Sequence, residues 1–332
     1  MLSISKARIT AIGSYAPKHI LTNSDLEALV ETNDEWITQR TGVKERRIAS
    51  KEEFTSDLCI QAVANLVHTY NQTIDDVDMI IVATTTSDFN FPSVACLVQD
   101  HFNIKGTGAM DLNATCAGFA YALHLANGLV TARLNRKVLV IAGETMSKVT
   151  DYTDRNTCIL FGDGAGAVLV EYDEHDPSFI SSHMGTNGGG GIHVYRSGLS
   201  EVMQGIPLQG CGNIVQNGRE VYKWAVRTVT EGTTQLLEQS QTTWDNIDWF
   251  VPHSANLKMI ESICAKVNFP FEKTLHSATY NGNTSSASIP LSLHTAVQQN
   301  KLKYGDQIII YGFGSGLTHA GLLIKWGIKN LT

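Results

Sequence analysis

Short apolar runs alternate along the chain with longer segments in which apolar residues recur every three or four positions. The apolar runs are typical of strands buried on both faces, and they include MIIVA from Met79, KVLVIA from Lys137 and QIIIY from Gln307. The segments with helical spacing lie at 56–70, 116–133 and 221–239. Strands that alternate with helices of this length predict crossover units and a mainly parallel sheet, so the fold class is α/β.

The pattern repeats at one constant offset, close to half the length of the chain. DDVDMIIVA from Asp75 matches DNIDWFVPH from Asp245, and KVLVIAGET from Lys137 matches QIIIYGFGS from Gln307. Between them, NATCA from Asn113 matches NTSSA from Asn283 at the same offset. Three segments in one register predict a duplication.

The duplication predicts two similar halves, 1–175 and 176–332, each with a mainly parallel central sheet. The stretch 181–218 contains GGGG and has no clear period. We therefore expect it to be a long inserted loop that opens the second half and lines a site.

Charge and composition exclude several classes of protein. The 332 residues carry 32 acidic and 25 basic side chains, a net charge of -7, and no basic run is longer than Arg46-Arg47. A nucleic-acid-binding surface is therefore not expected. No stretch approaches the roughly 20 uninterrupted apolar residues of a membrane span, and the N-terminus lacks the apolar core of a signal peptide. We expect a cytoplasmic protein that does not enter a membrane.

The cysteines and glycines do not indicate a metal or nucleotide cofactor. The six cysteines are scattered without a CxxC pair, which favours free thiols over a zinc site or disulfides. The GDGAG run at 162–166 leads into AVLVEY, which is typical of a strand, whereas a dinucleotide-binding loop must lead into a helix. We expect glycines that let two backbones pass closely, and no cofactor.

Cys116 lies between the strand-like GAMDLN and a helix-like run. At such a junction, free backbone N–H groups and the helix dipole stabilise a thiolate. The alternative is a small buried hydrophobic residue, which is the usual role of a free cysteine.

His253 and Asn283 also lie where a predicted strand ends and a helix begins. In the repeat, Asn283 matches Asn113, and it lies shortly before the position that matches Cys116. If the two halves face each other, Cys116, His253 and Asn283 come within reach of one another. Taken alone, His253 could equally be a capping or core residue.

Several blocks of the sequence resemble the β-ketoacyl-(acyl carrier protein) synthase III family, the initiating condensing enzymes of bacterial fatty-acid synthesis in the thiolase-fold superfamily. The resemblance covers essentially the whole chain. Its blocks are GSYAP, DEWITQRTGVKERR, FPSVAC, ATCAGF, ILFGDGAGAVL, VPHSANLKMI, NGNTSSASIP and YGFGSGLTHAG. The resemblance implies a duplicated thiolase-like fold layered α/β/α/β/α, with the nucleophilic cysteine in the first half and the histidine and asparagine in the second.

The resemblance also implies the reaction. A short acyl-CoA acylates Cys116, and malonyl-(acyl carrier protein) then loses CO2 and attacks the acyl group to give a 3-ketoacyl-(acyl carrier protein). His253 and Asn283 would hold the enolate oxygen, and His253 could help to activate the thiol. The backbone N–H groups of Cys116 and Ser315 would form the oxyanion hole. Acyl-CoA is a substrate, and no metal or other cofactor is implied.

Further positions take their roles from the resemblance alone. The residues matching the family's CoA contacts are Trp36, Arg40, Arg155 and Asn256. Phe91 matches a residue that caps the acyl pocket from a partner subunit, which implies a homodimer. Lys223 and Lys258 match basic positions that face the acidic carrier protein. The loop at 185–199 and His319 differ from the residues most common in the family at these positions. This leaves the acyl-chain preference open.

Three other classes of protein are consistent with parts of the sequence. Papain-type hydrolases also order Cys, His and Asn along the chain, but their cysteine lies near the mature N-terminus in a different setting. Other thiolase-fold enzymes use different acceptors to make hydroxymethylglutaryl-CoA, alkylquinolones or long-chain ketones. A non-catalytic thiolase-fold protein is disfavoured by the intact Cys-His-Asn set.

Overall fold

The computed structural model describes residues 5–210 and 212–329. The strands are β1 (Ala7–Tyr15), β2 (His19–Thr22), β3 (Glu45–Ile48), β4 (Met79–Ala83), β5 (Gly108–Leu112), β6 (Lys137–Thr145), β7 (Asp163–Tyr172), β8 (Phe179–Thr186), β9 (Val194–Arg196), β10 (Val202–Met203), β11 (Ile206–Pro207), β12 (Ile214–Gln216), β13 (Trp249–Pro252), β14 (Gln307–Gly314) and β15 (Thr318–Lys325). The helices are α1 (Asn23–Glu27), α2 (Asp34–Thr41), α3 (Thr55–Tyr70), α4 (Val94–His101), α5 (Gly118–Thr131), α6 (Gly218–Gln239), α7 (Leu257–Val267), α8 (Ala278–Asn281) and α9 (Ser288–Gln298).

Two central sheets form the frame of the molecule. The first has the order β1-β7-β6-β4-β5, and the second has the order β13-β14-β15-β8. β6 and β14 are apolar along almost their whole length because each is covered on both faces. The predicted α/β class with two similar halves is confirmed.

The sheets are more mixed than the sequence predicts. β5, β4 and β6 are parallel, as are β13 and β14, whereas β7, β1, β15 and β8 pair antiparallel. The reason is clearest at β14 and β15, which are joined by only the residues 315–317. So short a connection allows an antiparallel hairpin but no crossover helix.

The elements stack in five layers. α3 and α4 cover the outer face of the first sheet, and α6 and α7 cover that of the second. α5 and α9 lie between the sheets, in a core to which both halves contribute. The layering α/β/α/β/α is therefore as predicted. In the part of the chain that the structure describes, no helix combines the length and the apolar character needed to cross a membrane.

The repeat found in the sequence is visible in the backbone. A 3₁₀ turn at Thr115–Ala117 precedes α5, and a second at Ser285–Ala287 precedes α9. The first residue of each turn has a positive φ, 47° at Thr115 and 48° at Ser285. We call these two turns the first and the second elbow. The division predicted at residue 175 stays a prediction, and it falls between β7 and β8.

The prediction that the whole segment 181–218 is a loop is wrong at its N-terminal end. Residues 181–186 belong to β8, so the excursion between β8 and α6 begins only at residue 187. It contains a 3₁₀ turn at Gly188–His193 and two short strand pairs, β9 with β12 and β10 with β11. β8 lies at the edge of its sheet and is only partly buried, so its sequence lacks the continuous apolar run of a central strand.

Candidate active site

A cavity of about 470 Å³ lies between the two halves and brings together the three residues predicted to carry the chemistry. Cys116, His253 and Asn283 all line it. Cys116 comes from the first elbow, His253 follows β13, and Asn283 precedes the second elbow. The loop excursion also contributes, with residues from 194 to 198.

The first elbow rests directly on β14, where two glycines leave room for it. A Cβ at Gly314 would lie 2.9 Å from the Cβ of Cys116 and 2.6 Å from Oγ1 of Thr115. A Cβ at Gly312 would lie 2.7 Å from the Cα of Ala117. Thr115 donates a hydrogen bond from Oγ1 to the carbonyl of Ser315, at 3.2 Å. The elbow can occupy this position only because β14 lacks side chains there.

The thiol of Cys116 does not have the lowered pKa that its position in the sequence suggests. Burial raises its pKa to about 12, and the nearby charge of Glu144 acts in the same direction. A hydrogen bond with the side chain of Ser285 opposes the rise. Cys116 lies in the 3₁₀ turn, before α5 begins at Gly118. The resting thiol is therefore protonated at neutral pH, and it needs a proton acceptor to react.

His253 is held as a neutral imidazole. It is 2 % exposed, and burial lowers its pKa to about 3. Nδ1 lies 2.7 Å from Oγ of Ser288, which already accepts the backbone N–H of Ser254 at 3.2 Å. In the tautomer that keeps the ring proton on Nε2, the hydroxyl proton of Ser288 is donated to Nδ1. The ring packs edge-on against Phe313, with centroids 5.2 Å apart.

Asn283 is fixed by backbone pairing across the two halves. Its N–H donates to the carbonyl of Leu160 at 2.8 Å, and its carbonyl accepts the N–H of Gly162 at 3.1 Å. Its side-chain Oδ1 accepts the N–H of Ser285 at 2.9 Å, so Nδ2 remains available as a donor to the cavity. The buried Arg46 donates to the carbonyl of Ile159 and so supports the same segment.

Gly162 shows why the glycine run 162–166 is present. A Cβ there would lie 2.1 Å from the carbonyl oxygen of Asn281. The prediction of a glycine that lets two backbones pass closely is confirmed at this residue. The run continues into β7 and not into a helix.

Sequence reasoning missed Glu144, at the end of β6. It is 0 % exposed and lies next to the second elbow. The groups that donate hydrogen bonds to its carboxylate are the Thr85 N–H and the hydroxyls of Thr84, Thr85, Thr86, Ser285 and Ser286. A carboxyl residue at the end of a strand run that is otherwise apolar after Lys137 was the signal that could have found it.

A second cavity, of about 1090 Å³, adjoins the first and shares Leu160, Tyr195 and Met259 with it. The site residues that line it, all predicted from the resemblance, are Trp36, Arg40, Asn256, Lys223 and Lys258. A long substrate could therefore enter through the second cavity and reach Cys116 in the first.

Two arginines lie close to the Trp36 ring, and of these Arg40 lines the second cavity whereas Arg155 does not. The guanidinium carbon of Arg155 lies 4.4 Å from the centre of the Trp36 ring, and that of Arg40 lies 5.4 Å from it. Arg155 also donates to the carbonyl of Glu31 at 2.9 Å. Asn256 caps α7 by accepting the N–H of Met259 at 2.9 Å, so only its amide nitrogen is available to a ligand.

The residues predicted for the oxyanion hole, the partner's acyl pocket and the carrier-protein contact lie at or near the surface. Ser315 lines the first cavity and follows β14. Phe91 lies outside both cavities of its own chain, with 85 % of its surface exposed. Lys223 pairs with Glu220 at 2.8 Å, and Lys258 pairs with Glu261 at 2.9 Å, each within its own helix.

The chain matches known proteins along almost its whole length. The family model for 3-oxoacyl-[acyl-carrier-protein] synthase III matches residues 110–188, and the model for its C-terminal part matches residues 237–326. Beta-ketoacyl-[acyl-carrier-protein] synthase III 2 of Bacillus cereus is 62% identical over 98% of this chain and 99% of its own. The protein of the same name from Bacillus subtilis is 62% identical over 98% of this chain and 100% of its own.

The crystal structure of beta-ketoacyl-[acyl carrier protein] synthase III from Thermus thermophilus has the same fold. It superposes with a TM-score of 0.93 at 41% identity, covering 96% of this chain and 99% of its own. The matched regions therefore include both halves and all of the site. The chain belongs to the 3-oxoacyl-[acyl-carrier-protein] synthase III family, whose members are condensing acyltransferases of the thiolase fold.

Proposed function

We propose that the protein joins a short acyl-CoA to malonyl-(acyl carrier protein), releasing CO2 and giving a 3-ketoacyl-(acyl carrier protein), the first condensation of type II fatty-acid synthesis. The observation that carries the proposal is one cavity holding a thiol, a neutral imidazole and an amide donor, those of Cys116, His253 and Asn283. No feature of the site favours the other acceptors considered for thiolase-fold enzymes, and the relatives at 62% identity bear the synthase III name.

In the first half-reaction, Sγ of Cys116 attacks the thioester carbonyl of the acyl-CoA. The acyl group moves from one sulfur to another, so little free energy is lost. The Cys116 thiol gives up its proton as it attacks, and the departing CoA thiolate takes one up, so the step is balanced in protons. The oxyanion that forms would be held by the backbone N–H groups of Cys116 and Ser315. Ser315 suits this role because Thr115 ties its carbonyl to the elbow.

In the second half-reaction, malonyl-(acyl carrier protein) loses CO2 and places negative charge on its thioester oxygen. Nε2–H of His253 and Nδ2 of Asn283 would stabilise that enolate, because both are donors whose other polar atom is already occupied. Donors fixed before the charge develops do not have to reorient during the reaction. The enolate carbon then attacks the acyl group on Cys116.

The second cavity would hold the long arm of the substrates. Trp36 and its flanking arginines offer an aromatic face and positive charge suited to a nucleotide. Lys223 and Lys258, at the rim of the same cavity, would face the acidic carrier protein.

A homodimer is part of the proposal. β5 is the edge strand of its sheet, and it leaves Met110 exposed. Phe91 is exposed on the segment before α4, which packs against β5, so a second chain that covers this edge would bury it. Sedimentation at micromolar concentration should show twice the mass of one chain. The cytoplasmic location expected from the sequence belongs to the same proposal.

Intact-mass spectrometry tests the proposed reaction. The protein is incubated with acetyl-, isobutyryl- or isovaleryl-CoA, and we expect one added acyl group that malonyl-(acyl carrier protein) then removes as a 3-ketoacyl product. The panel also reports whether straight or branched acyl groups are preferred. Absence of labelling with every acyl-CoA would refute the proposal.

A further inference from the structure

Glu144 joins the second elbow to the first half of the molecule, and the proposed mechanism gives it no role. Its side chain is 0 % exposed. Oε1 accepts the hydroxyls of Ser285 and Ser286, each at 3.0 Å. Oε2 accepts the backbone N–H of Thr85 at 3.1 Å and the hydroxyl of Thr86 at 2.6 Å. The carboxylate therefore has the second elbow on one side and the segment that follows β4 on the other.

These bonds suit an ionised carboxylate, which only accepts hydrogen bonds. The hydroxyl of Thr86 accepts the N–H of Thr145 at 2.9 Å, so its own proton is directed at Glu144. Burial raises the pKa of Glu144, and its hydrogen bonds oppose the rise. Among the described residues, its hydrogen-bond partners include no cation. A buried charge without a cation depends on such bonds, so the carboxylate and its donors hold one another in place.

The repeat shows that the two elbows are anchored in different ways. Glu144 occupies the position that matches Gly314. Gly314 leaves room for the first elbow to rest on β14, and Thr115 then donates to a backbone carbonyl. At the second elbow a carboxylate stands in place of the glycine, and Ser285, which matches Thr115, donates to it. Ser285 has a positive φ of 48°, a conformation that persists only where the surrounding contacts hold it.

Ser285 connects this anchor to the amide of Asn283. Its hydroxyl donates to Glu144 at 3.0 Å, and its backbone N–H donates to Oδ1 of Asn283 at 2.9 Å. The second bond sets which end of the amide faces the cavity, and that end is Nδ2. A shift of the elbow would therefore move the donor. A misplacement of about 1 Å at a reacting centre can cost roughly 100-fold in rate.

We propose that Glu144 fixes the second elbow through Ser285 and so orients Nδ2 of Asn283 towards the malonyl enolate. Glu144 is thus a positioning residue for decarboxylation. The inference rests on the proposed function in that it takes the enolate as the group that Asn283 binds. Acylation of Cys116 does not use Asn283, so the two half-reactions should respond differently to the loss of Glu144.

The two half-reactions of Glu144→Gln provide the first test. We expect release of labelled CO2 from malonyl-(acyl carrier protein) to slow at least about tenfold, because the Asn283 amide is no longer held in place. Labelling by acyl-CoA, followed by intact mass, should be as fast as in the wild type or faster, because the charge of Glu144 raises the pKa of Cys116. An equal loss of both half-reactions, or faster decarboxylation, would overturn the proposal.

Ser285→Ala keeps the question open to test if Glu144→Gln fails to fold. It removes one hydroxyl and leaves the backbone N–H that Asn283 accepts. We expect decarboxylation to slow at least about tenfold in this variant as well, because the elbow loses its bond to the carboxylate. An unchanged rate of CO2 release would contradict the role of Ser285.

Thr84→Val is the matched control, because it removes a donor to Glu144 that belongs to the first half. The Thr84 hydroxyl donates to Oε2 at 3.3 Å and accepts the N–H of Thr86 at 3.1 Å. The variant should be less stable, since that N–H loses its partner. Its decarboxylation rate should change less than about twofold, because the bond from Ser285 to Glu144 remains. A loss as large as that of Glu144→Gln would mean that any damage to the cluster has the same effect.

A double-mutant cycle shows whether Glu144 acts through Asn283. Adding Glu144→Gln to Asn283→Ala should slow decarboxylation less than about twofold further, because the group that Glu144 positions is already gone. Independent effects would multiply, and that result would overturn the proposal.

Crystal structures of the variants separate the positioning from the proposed function. The side-chain amide of Asn283 should be displaced in Glu144→Gln and should keep its place in Thr84→Val. If the amide moves but the wild type releases no CO2 from malonyl-(acyl carrier protein), the proposed function fails and the positioning stands. If the wild type is active and the amide of Glu144→Gln has not moved, the positioning is wrong.

Discussion

The two elbows have nearly the same backbone and different chemistry. Each begins with a residue of positive φ, makes one 3₁₀ turn and leads into a helix of the central layer. Cys116 lies at the middle of the first elbow and is partly accessible from the cavity. Ser286, its counterpart in the repeat, lies at the middle of the second and is 0 % exposed. The first elbow presents a nucleophile to the cavity, whereas the middle residue of the second elbow is buried and inaccessible from it.

The difference shows how a duplicated frame can support one reaction. The second elbow contributes the residues beside its turn, Asn283 before it and Ser288 after it, and both hold atoms of the site in place. Its own middle residue instead donates a hydrogen bond to Glu144. The nucleophile thus comes from the middle of one elbow, and its supporting groups come from the residues on either side of the other elbow.

The largest expected effect is loss of the nucleophile. Cys116→Ala should take up no acyl group from any acyl-CoA, as measured by intact mass. Adding Ser286→Cys to this variant should not restore labelling, because residue 286 is buried. Labelling of the double variant would show that the two elbows are interchangeable, contrary to our interpretation.

The next largest effect is on malonyl decarboxylation, and it should differ between the two asparagines that match in the repeat, Asn283 and Asn113. Asn283→Ala should keep acylation and lose malonyl decarboxylation by roughly 100- to 1,000-fold, the usual result of removing one oxyanion donor. Asn113→Ala is the matched control, because Asn113 also lines the cavity but is exposed. Release of CO2 from labelled malonyl-(acyl carrier protein) measures both. Loss of acylation alone in Asn283→Ala would mean that we have assigned its role wrongly.

A smaller effect concerns the support of the first elbow. Gly314→Ala places a methyl group 2.9 Å from the Cβ of Cys116, and such overpacking should lower the free energy of unfolding by about 1–3 kcal/mol. Gly128→Ala in α5 is the control, because a Cβ there meets nothing within 4 Å. It should raise the free energy of unfolding by about 0.5–1 kcal/mol. Urea unfolding measures both changes, and equal stabilities would contradict the close contact.

The smallest effect is the pH dependence of stability from the matched histidines of α5 and α9. Burial lowers the pKa of His294 to about 4 and also lowers that of His124. Below about pH 6.5, His294 binds a proton in the unfolded chain but stays neutral in the folded protein. The free energy of unfolding therefore falls as the pH drops from about 6.5 towards 4.

Replacing these histidines tests that sign. His294→Gln should flatten the fall of the melting temperature between pH 7 and 5. His124→Gln should flatten it less, because His124 is only partly buried. A steeper fall in His294→Gln would show that the sign is wrong.

Much of the frame could be predicted from the sequence because it depends on local pattern. The apolar runs of β4, β6 and β14, together with the repeat, indicate the sheets and both elbows. The pKa of Cys116 could not be predicted, because it depends on burial and on Glu144, which lies on a different element of the first half. The tautomer of His253 likewise depends on Ser288, which only the folded chain brings to it.

The pairing of Asn283 with Leu160 and Gly162 joins the halves by backbone hydrogen bonds at the reaction centre itself. A symmetric pair of identical subunits would have to carry the same residue at both elbows. Covalent fusion in one chain removes that constraint, because each copy can then mutate independently. The two elbows of this chain accordingly carry one thiol between them, that of Cys116, and two separately expressed halves should lack activity until they reassociate through this pairing.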